Sequence, residues 1–376
     1  MKEVFVISDN IISPVGKTSA ENFVALRNGL SGIQEHHLPA ISPVPFYASL
    51  LETEPAEQSN NTLTAFEQLL ARSVAAALTN TSIDISAPSV IVIISSTKGN
   101  ISLLENGVAG DDKKEQIGLY SSAKALAAHL KLANRPIVIS NACISGLTAL
   151  LTGKRLLEMG QYTHAVVVGA DIISSFILSG FQSFQAISAS RCKPFDADRN
   201  GINLGEAAAT IILSIEKNDS SIALTGGAVS NDANHISGPS RSGQELCMAI
   251  NKALKQAAVS AIDIGFVSAH GTATIYNDEM EAKAFSLAGM EKVPLHSLKG
   301  YYGHTLGASG IVESVIAVHS LQQGTMIGTK GFHRSGVSMP VNVCKDSIPL
   351  ETNHCLKTAS GFGGCNAALV FSKTVN

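Results

Sequence analysis

The chain has 376 residues; at about 150 residues per domain this predicts two or more units and excludes a small single-core scaffold. Charged residues are 15% and hydrophobic residues 45%, with 32 Gly, a profile that excludes a disordered chain and predicts a large buried core. Lys plus Arg number 27 against 30 Asp plus Glu, and the net charge of −3 supplies no global positive field for nucleic acid.

At the N-terminus, Val4-Phe5-Val6-Ile7 reads as a short strand, without the basic start, long apolar stretch and cleavage site of a signal peptide. Mean hydropathy is +0.21. Apolar runs such as Val90 to Ile94 and Ala165 to Val168 nevertheless fall far short of the roughly 20 residues that span a bilayer. No membrane association and a cytoplasmic location are the expectations.

Residues 32–55 hold Pro39, Pro43, Pro45 and Pro55 and read as loop. A helical stretch ending at Ile83-Asp84 then leads to a strand at Val90 to Ile94. The apolar run Ile137-Val138-Ile139 precedes Asn141-Ala142-Cys143-Ile144, and Ser145-Gly146 opens a helix (Leu147, Leu150, Leu151, Leu156, Leu157) that closes at Gly160. Further on, a helical stretch ending at Ile262-Asp263 leads to a strand at Phe266-Val267, and Ser309-Gly310 opens a second helix that closes at Gly324. Gly205 to Ser214 matches Gly363 to Ser372 in the same way. Three matched pairs in one order argue for internal duplication, with halves at 1–217 and 218–376. Each half alternates strands and helices, so each is an α/β unit, and the junction between them is the expected place for a site.

Three segments carry candidate chemistry. Cys143 lies at a strand-to-helix turn, where the positive end of the helix dipole favours a thiolate, and Ala142, Ser145 and Gly146 leave room for a substrate. His270, in Ser268-Ala269-His270-Gly271-Thr272-Ala273-Thr274, and His304, in Gly303-His304-Thr305, each follow a short apolar stretch and are flanked by glycine. A neutral imidazole there can donate to a developing oxyanion. Gly361-Phe362-Gly363-Gly364 precedes a strand rather than a helix, which disfavours a phosphate cradle and favours a tight turn that offers backbone N–H groups. The six cysteines form no C-x-x-C pair, so neither a zinc site nor a dithiol motif is signalled.

Together these segments resemble the β-ketoacyl-acyl-carrier-protein synthases, condensing enzymes of the thiolase superfamily. The match runs from Ser13-Pro14-Val15-Gly16 to Gly364. It includes Ala142-Cys143, Pro194-Phe195-Asp196-Ala197-Asp198-Arg199-Asn200-Gly201, His270-Gly271-Thr272-Ala273-Thr274, Lys299, Gly303-His304-Thr305, Gly307-Ala308-Ser309-Gly310 and Gly361-Phe362-Gly363-Gly364. The resemblance implies a duplicated thiolase-like α/β fold in five layers, αβαβα. It implies that Cys143 takes an acyl group from acyl-carrier protein bearing a phosphopantetheine thioester. His270 and His304 would hold malonyl thioester, assist loss of carbon dioxide and stabilise the enolate. The N–H groups of Cys143 and Phe362 would form an oxyanion hole, with Phe362 gating the acyl pocket. Thr272, Thr274 and Gly363 would line the substrate site, and Lys299 and Glu313 would form a charged pair behind the histidines. Asp278 and Glu281 match too and take structural roles. The implied assembly is a homodimer or a heterodimer with a related subunit. No cofactor or metal is implied.

Ser8 and Asn10 stand where the family has glycines, Ile144 where a small residue follows the cysteine, and the segment from Thr97 to Cys143 is short. These departures suggest a specialised synthase rather than a housekeeping elongation enzyme. A thiolase is the nearest rival, but thiolases use a second cysteine where Gly361-Phe362 stands, and Cys365 lies after it. A non-catalytic chain-length subunit is the other alternative, opposed by the presence of Cys143, His270 and His304.

Overall fold

A computed structural model of the protein describes residues 2–52, 63–105, 115–217, 222–233 and 235–374. Pro55 and residue 218, on the far side of the expected boundary between halves, lie outside these residues. The first half runs β1 (Phe5–Ile12), α1 (Ser19–Arg27), β2 (Gln34–His36), β3 (Phe46–Ser49), α2 (Ala65–Leu78), β4 (Val90–Ser95), α3 (Leu119–Leu130), β5 (Ile137–Ile139), α4 (Ser145–Glu158), β6 (His164–Asp171), α5 (Ser175–Ser183), β7 (Leu204–Gly205) and β8 (Ala207–Ser214). The second runs β9 (Ile222–Asn231), α6 (Gln244–Ala257), β10 (Phe266–Ser268), α7 (Ile275–Leu287), β11 (Pro294–His296), α8 (Lys299–Tyr302), α9 (Ser309–Gln323), β12 (Thr325–Met326), β13 (Asn342–Val343), β14 (Ile348–Pro349), β15 (His354–Gly361) and β16 (Cys365–Lys373).

Eleven strands hydrogen-bond in the order β13-β11-β10-β15-β16-β9-β1-β8-β6-β4-β5. The two halves meet at β1 and β9, where Phe5 pairs with Ala223. Outward from that seam, β1-β8-β6-β4-β5 is matched by β9-β16-β15-β10-β11. The pairings match as well: antiparallel twice, then parallel twice on each side. The duplication inferred from three weak repeats is therefore carried by the whole strand order.

Strand side chains alternate between faces, and here both faces are covered, which is why the strands read as unbroken apolar runs. Ile91 and Ile93 of β4, Ala165 and Val167 of β6, and Ile211 and Leu213 of β8 join a central core with α4 and α9. Their neighbours Val90, Val92, Val166, Val168 and Ile212 face the other way, onto α2 and α3. In the second half Phe266, Leu369 and Phe371 face the central core, whereas Val267, Ala368 and Val370 face α6 and α7. The resulting layers are α2/α3, sheet, α4/α9, sheet and α6/α7, the five-layered αβαβα arrangement.

Two helix ends differ from expectation. The helix before β4 stops at Leu78, not Asp84, because the hydroxyls of Thr79 and Thr81 bond the carbonyls of Ala75 and Leu78 and satisfy the end of α2. The corresponding helix α6 stops at Ala257, where Ala258 turns left-handed at φ 54°, and Ala261–Asp263 is a separate 3-10 turn capped by Ser260. The proline-rich segment also contains β2 and β3, and β3 is anchored by pairing with β7. Strands of three and four residues between prolines are too short to register as an alternation.

Candidate active site

Cys143 follows β5 and precedes α4 on a turn tied by its own polar groups. The Asn141 N–H donates to Ser145 Oγ at 2.7 Å, and that hydroxyl donates to the Ala142 carbonyl at 2.6 Å. Ala142 is held at φ 45°, a conformation costly for a residue with a Cβ, so the turn is over-determined by its surroundings. It points the half-buried Cys143 into a cavity of about 420 Å³. Opposite, β15 passes so close that a Cβ on Gly361 would lie 2.9 Å from the Cys143 amide nitrogen, so only glycine fits there. The same approach brings the Phe362 N–H to the side of Cys143, where it favours the thiolate.

The helix-dipole expectation for this thiol needs correction. Burial pushes Cys143 up to about 12, with Cys365 adding to the rise, while Lys299 and the Phe362 N–H pull in the other direction. This balance of burial and neighbouring charge favours the thiol over the thiolate.

His270 and His304 come from the second half and reach the same cavity. Their rings meet edge to face with centroids 5.2 Å apart, and one ligating atom from each lies within 4.8 Å of the others and of the Cys143 sulfur. The Leu306 N–H donates to His304 Nδ1 at 3.1 Å, and Ser309 Oγ lies 2.9 Å from the same nitrogen. In a neutral ring that assignment puts the proton on Nε2, ready to donate into the cavity. The backbone of His304 is clamped by the first half: its N–H donates to the Asn203 carbonyl and its carbonyl accepts from Gly205. Asp171, at the end of β6, accepts from Gly307 at 2.6 Å and from Ser96 Oγ at 2.7 Å, and so ties the turn after His304 to the end of β4. Glu281 accepts from the N–H groups of His270 and Gly271, and Asp278 from those of Phe195 and Thr272. Both carboxylates match the structural role assigned to them.

Behind the histidines, Glu313 is buried between two lysines. Lys299 Nζ bonds one oxygen, and Lys357 Nζ lies 2.7 Å from the other. Two lysines to one glutamate leave one positive charge uncompensated. Burial, then Lys299, His304 and Lys357, hold His270 well below the usual imidazole range, and burial with the same two lysines does so for His304. Both rings are neutral donors at physiological pH.

Thr272 and Thr274 line the cavity, with their hydroxyls 2.9 Å apart. Lys299 and Glu313 do not line it; they support the histidines from the protein side. Gly363, expected at the substrate, is turned away: its N–H donates to the Ile236 carbonyl at 2.6 Å. Ile144 is fully buried in the central core and does not shape the pocket. Ser8 Oγ donates to the Ala77 carbonyl of α2, so the departure from glycine there serves packing. Cys365 donates to the Phe362 carbonyl and is absent from the cavity wall, as expected of a bystander.

Sequence reasoning missed Lys357, Asp171 and two aromatic neighbours of Phe362. Phe181 stacks on Phe362 at 5.8 Å and Phe184 meets it edge-on at 5.5 Å, forming an apolar lip to the cavity. A Lys amid the apolar run of β15 was the available signal for Lys357. One thiol and two imidazoles are donors that zinc would accept, but the uncompensated positive charge behind them opposes a dication.

Comparison with known proteins gives concordant findings. Residues 1–218 match the family model described as β-ketoacyl synthase, N-terminal domain, and residues 222–333 match β-ketoacyl synthase, C-terminal domain. The chain is 28% identical to 3-oxoacyl-[acyl-carrier-protein] synthase 2 of Vibrio cholerae, covering 99% of both chains. Among solved structures it is similar to the ketosynthase ApeO, in complex with its chain length factor ApeC, from Xenorhabdus doucetiae, with TM-score 0.88, 27% identity and coverage of 99% and 98%. A β-ketoacyl synthase from Burkholderia phymatum shares the fold, with TM-score 0.89, 23% identity and full coverage of both chains.

Proposed function

Since the chain belongs to the β-ketoacyl synthase family, we propose that it condenses an acyl group carried on Cys143 with malonyl-acyl-carrier protein, releasing carbon dioxide. The observation that carries this reading is the convergence of Cys143, His270 and His304 within 4.8 Å on an apolar cavity. Residues 1–217 supply the nucleophile and residues 218–376 the histidines.

In the first step Cys143 attacks the acyl thioester. The N–H groups of Cys143 and Phe362 stabilise the oxyanion, and the thiol proton passes to the departing phosphopantetheine sulfur. In the second, the malonyl thioester oxygen accepts hydrogen bonds from His270 and His304. The bond to the carboxylate breaks, carbon dioxide leaves, and its electron pair becomes the enolate. The enolate carbon attacks the acyl-Cys carbonyl, the carbon–sulfur bond breaks, the departing thiolate takes a proton from solvent, and β-ketoacyl-acyl-carrier protein is released. Neutral rings can serve this step, because each keeps one N–H to donate to the thioester oxygen. Thr272 and Thr274 face the pantetheine arm. Phe181, Phe184 and Phe362 select an apolar acyl chain, and fatty-acid, polyketide or polyene biosynthesis is the setting.

The working assembly is a pair of like or related subunits. Two things support this: among the described residues β5 ends the sheet with no strand on its outer edge, and the similar Xenorhabdus doucetiae ketosynthase is described with a chain length factor. A cytoplasmic location is part of the same reading; no described helix is long and apolar enough to cross a membrane. The decisive experiment incubates the protein with acyl-carrier protein charged with acyl groups of varied length and follows Cys143 by intact mass. A mass increase at Cys143, followed by a β-ketoacyl product on adding malonyl-acyl-carrier protein, is expected. No acylation with any chain length would leave the non-catalytic chain-length subunit as the better reading.

A further inference from the structure

Lys357 lies in β15, whose neighbours Cys355 and Leu356 are fully buried, and Lys357 is itself fully buried. It pairs in register with Ser268, the last residue of β10 and two residues before His270. Across the other edge it faces Leu369 of the central core. An ammonium taken out of water costs several kcal/mol unless paired and fully hydrogen-bonded, so a lysine in this place requires compensation. Its hydrogen bonds are satisfied: Nζ donates to the carbonyls of Ser268 at 3.1 Å, Ala269 at 3.3 Å and Thr358 at 2.6 Å, and lies 2.7 Å from a Glu313 oxygen, while burial still lowers its pKa. Two of those carbonyls belong to the segment that delivers His270. The remaining partner, Glu313, also binds Lys299 on the side of His304.

We propose that Lys357 is a positioning residue of the decarboxylation site: it fixes the backbone leading to His270 and places a second buried positive charge behind both imidazoles. The inference rests on the condensing activity proposed above. Glu313 is too few by one charge to neutralise Lys299 and Lys357 together, so the site carries a standing positive potential where the enolate oxygen develops its charge. A preorganised potential of this kind acts without reorganisation during the reaction. A lysine whose only task was to pair with Glu313 would be redundant, because Lys299 already does so.

Other titratable groups face this cluster. Lys299 and Tyr302 come from α8, Glu313 from α9, and Asp278 and Glu281 from α7. His296 approaches from β11 and Cys143 from the turn before α4. Burial lifts Asp278 to about 6 and Glu281 to about 7; Asp278 is matched by the buried Arg199, whose Nε lies 4.0 Å from it, and Glu281 is only about half ionised near neutral pH, so the carboxylates offset the two lysines only in part. Removing the charge of Lys357 therefore lets His270 and His304 protonate at higher pH.

The test measures decarboxylation of malonyl-acyl-carrier protein against pH for the full chain and for Lys357→Met and Lys357→Arg. In Lys357→Met, kcat falls about 10- to 100-fold with KM within about twofold, and the acid limb of the profile moves up by about one pH unit. Lys357→Arg keeps the wild-type limb. A uniform loss at every pH with an unmoved limb would make Lys357 a packing residue and overturn the proposal, as would wild-type rates in Lys357→Met. If neither variant folds, histidine NMR of the wild type decides: both rings stay neutral at pH 6, and a ring titrating near 6.5 overturns the proposal. Wild-type acylation of Cys143 is followed in parallel by intact mass. A wild type that neither acylates nor decarboxylates sinks the condensing reading itself, an outcome distinct from failure confined to the variants.

Discussion

Gly146 and Gly310 occupy the same place in the two repeated helices and touch each other. A Cβ on Gly146 would lie 2.8 Å from the Ile311 amide nitrogen, and one on Gly310 would lie 2.7 Å from that of Leu147. The crossing of α4 and α9 at these residues sets Cys143, just before one helix, beside the turn that carries His304, just before the other. A methyl group at either position forces the helices apart where no flexible side chain can yield. Gly146→Ala and Gly310→Ala each destabilise the protein by about 2 kcal/mol, to be read from urea unfolding, and each reduces Cys143 acylation by more than the fraction unfolded. Stability within about 0.5 kcal/mol of wild type would mean that the helices shift freely.

The raised thiol makes a prediction of opposite sign to the helix dipole taken alone. The thiolate is the reactive form, and a free cysteine reaches it near about 8.5. With Cys143 pushed up to about 12, iodoacetamide should alkylate it at least about 100-fold more slowly than free cysteine at pH 7.5, and the rate should climb beyond pH 9. Peptide mapping separates Cys143 from the five other free cysteines. A rate that levels off below pH 7 would mean that the helix outweighs burial.

Cys143→Gln removes the nucleophile while leaving both histidines and their lysine support intact. Malonyl-acyl-carrier protein is then still decarboxylated, whereas condensation falls to background. Product analysis by mass spectrometry distinguishes the two, and condensation retained in this variant would move the nucleophile elsewhere.

His296 offers a stability test that does not depend on measuring the reaction. It donates from Nδ1 to the Ile327 carbonyl at 2.8 Å, and burial lowers it to about 4. Between about 6.5 and 4 the unfolded chain therefore binds a proton that the folded chain refuses, so stability is retained above 6.5 and lost as pH falls, by roughly 3 kcal/mol at most. His296→Gln keeps a donor and cannot titrate. Its unfolding free energy should fall less than that of wild type between pH 7 and pH 4.5, and equal falls would show that His296 does not contribute.

Much of this architecture was legible in the residues. Strands buried on both faces left continuous apolar runs, and each repeat began its central helix with Ser-Gly, so the duplication and the turns of Cys143, His270 and His304 could be found without coordinates. What escaped notice depended on distant pairing. Lys357 acquires meaning only from β10 beside it and α9 beneath it, and Asp171 only from a turn 136 residues away. A glycine-rich turn does not display the distant partners of its amides: the N–H of Gly363 is claimed by the Ile236 carbonyl. The helix position of Cys143 is written in the sequence, whereas the burial that opposes the thiolate comes from β15 of the other half and is not.

The strand order also bears on how the protein is made. β16 lies between β9 and β15 within the sheet, and Phe362 sits on the hairpin that leads into it. A nascent chain that has emerged only as far as residue 350 holds Cys143 and both histidines but lacks Lys357, Gly361 and Phe362. On the proposed mechanism such a chain lacks one donor of the oxyanion hole and the glycine that lets β15 approach Cys143, so acyl capture is expected only once β15 and β16 have paired.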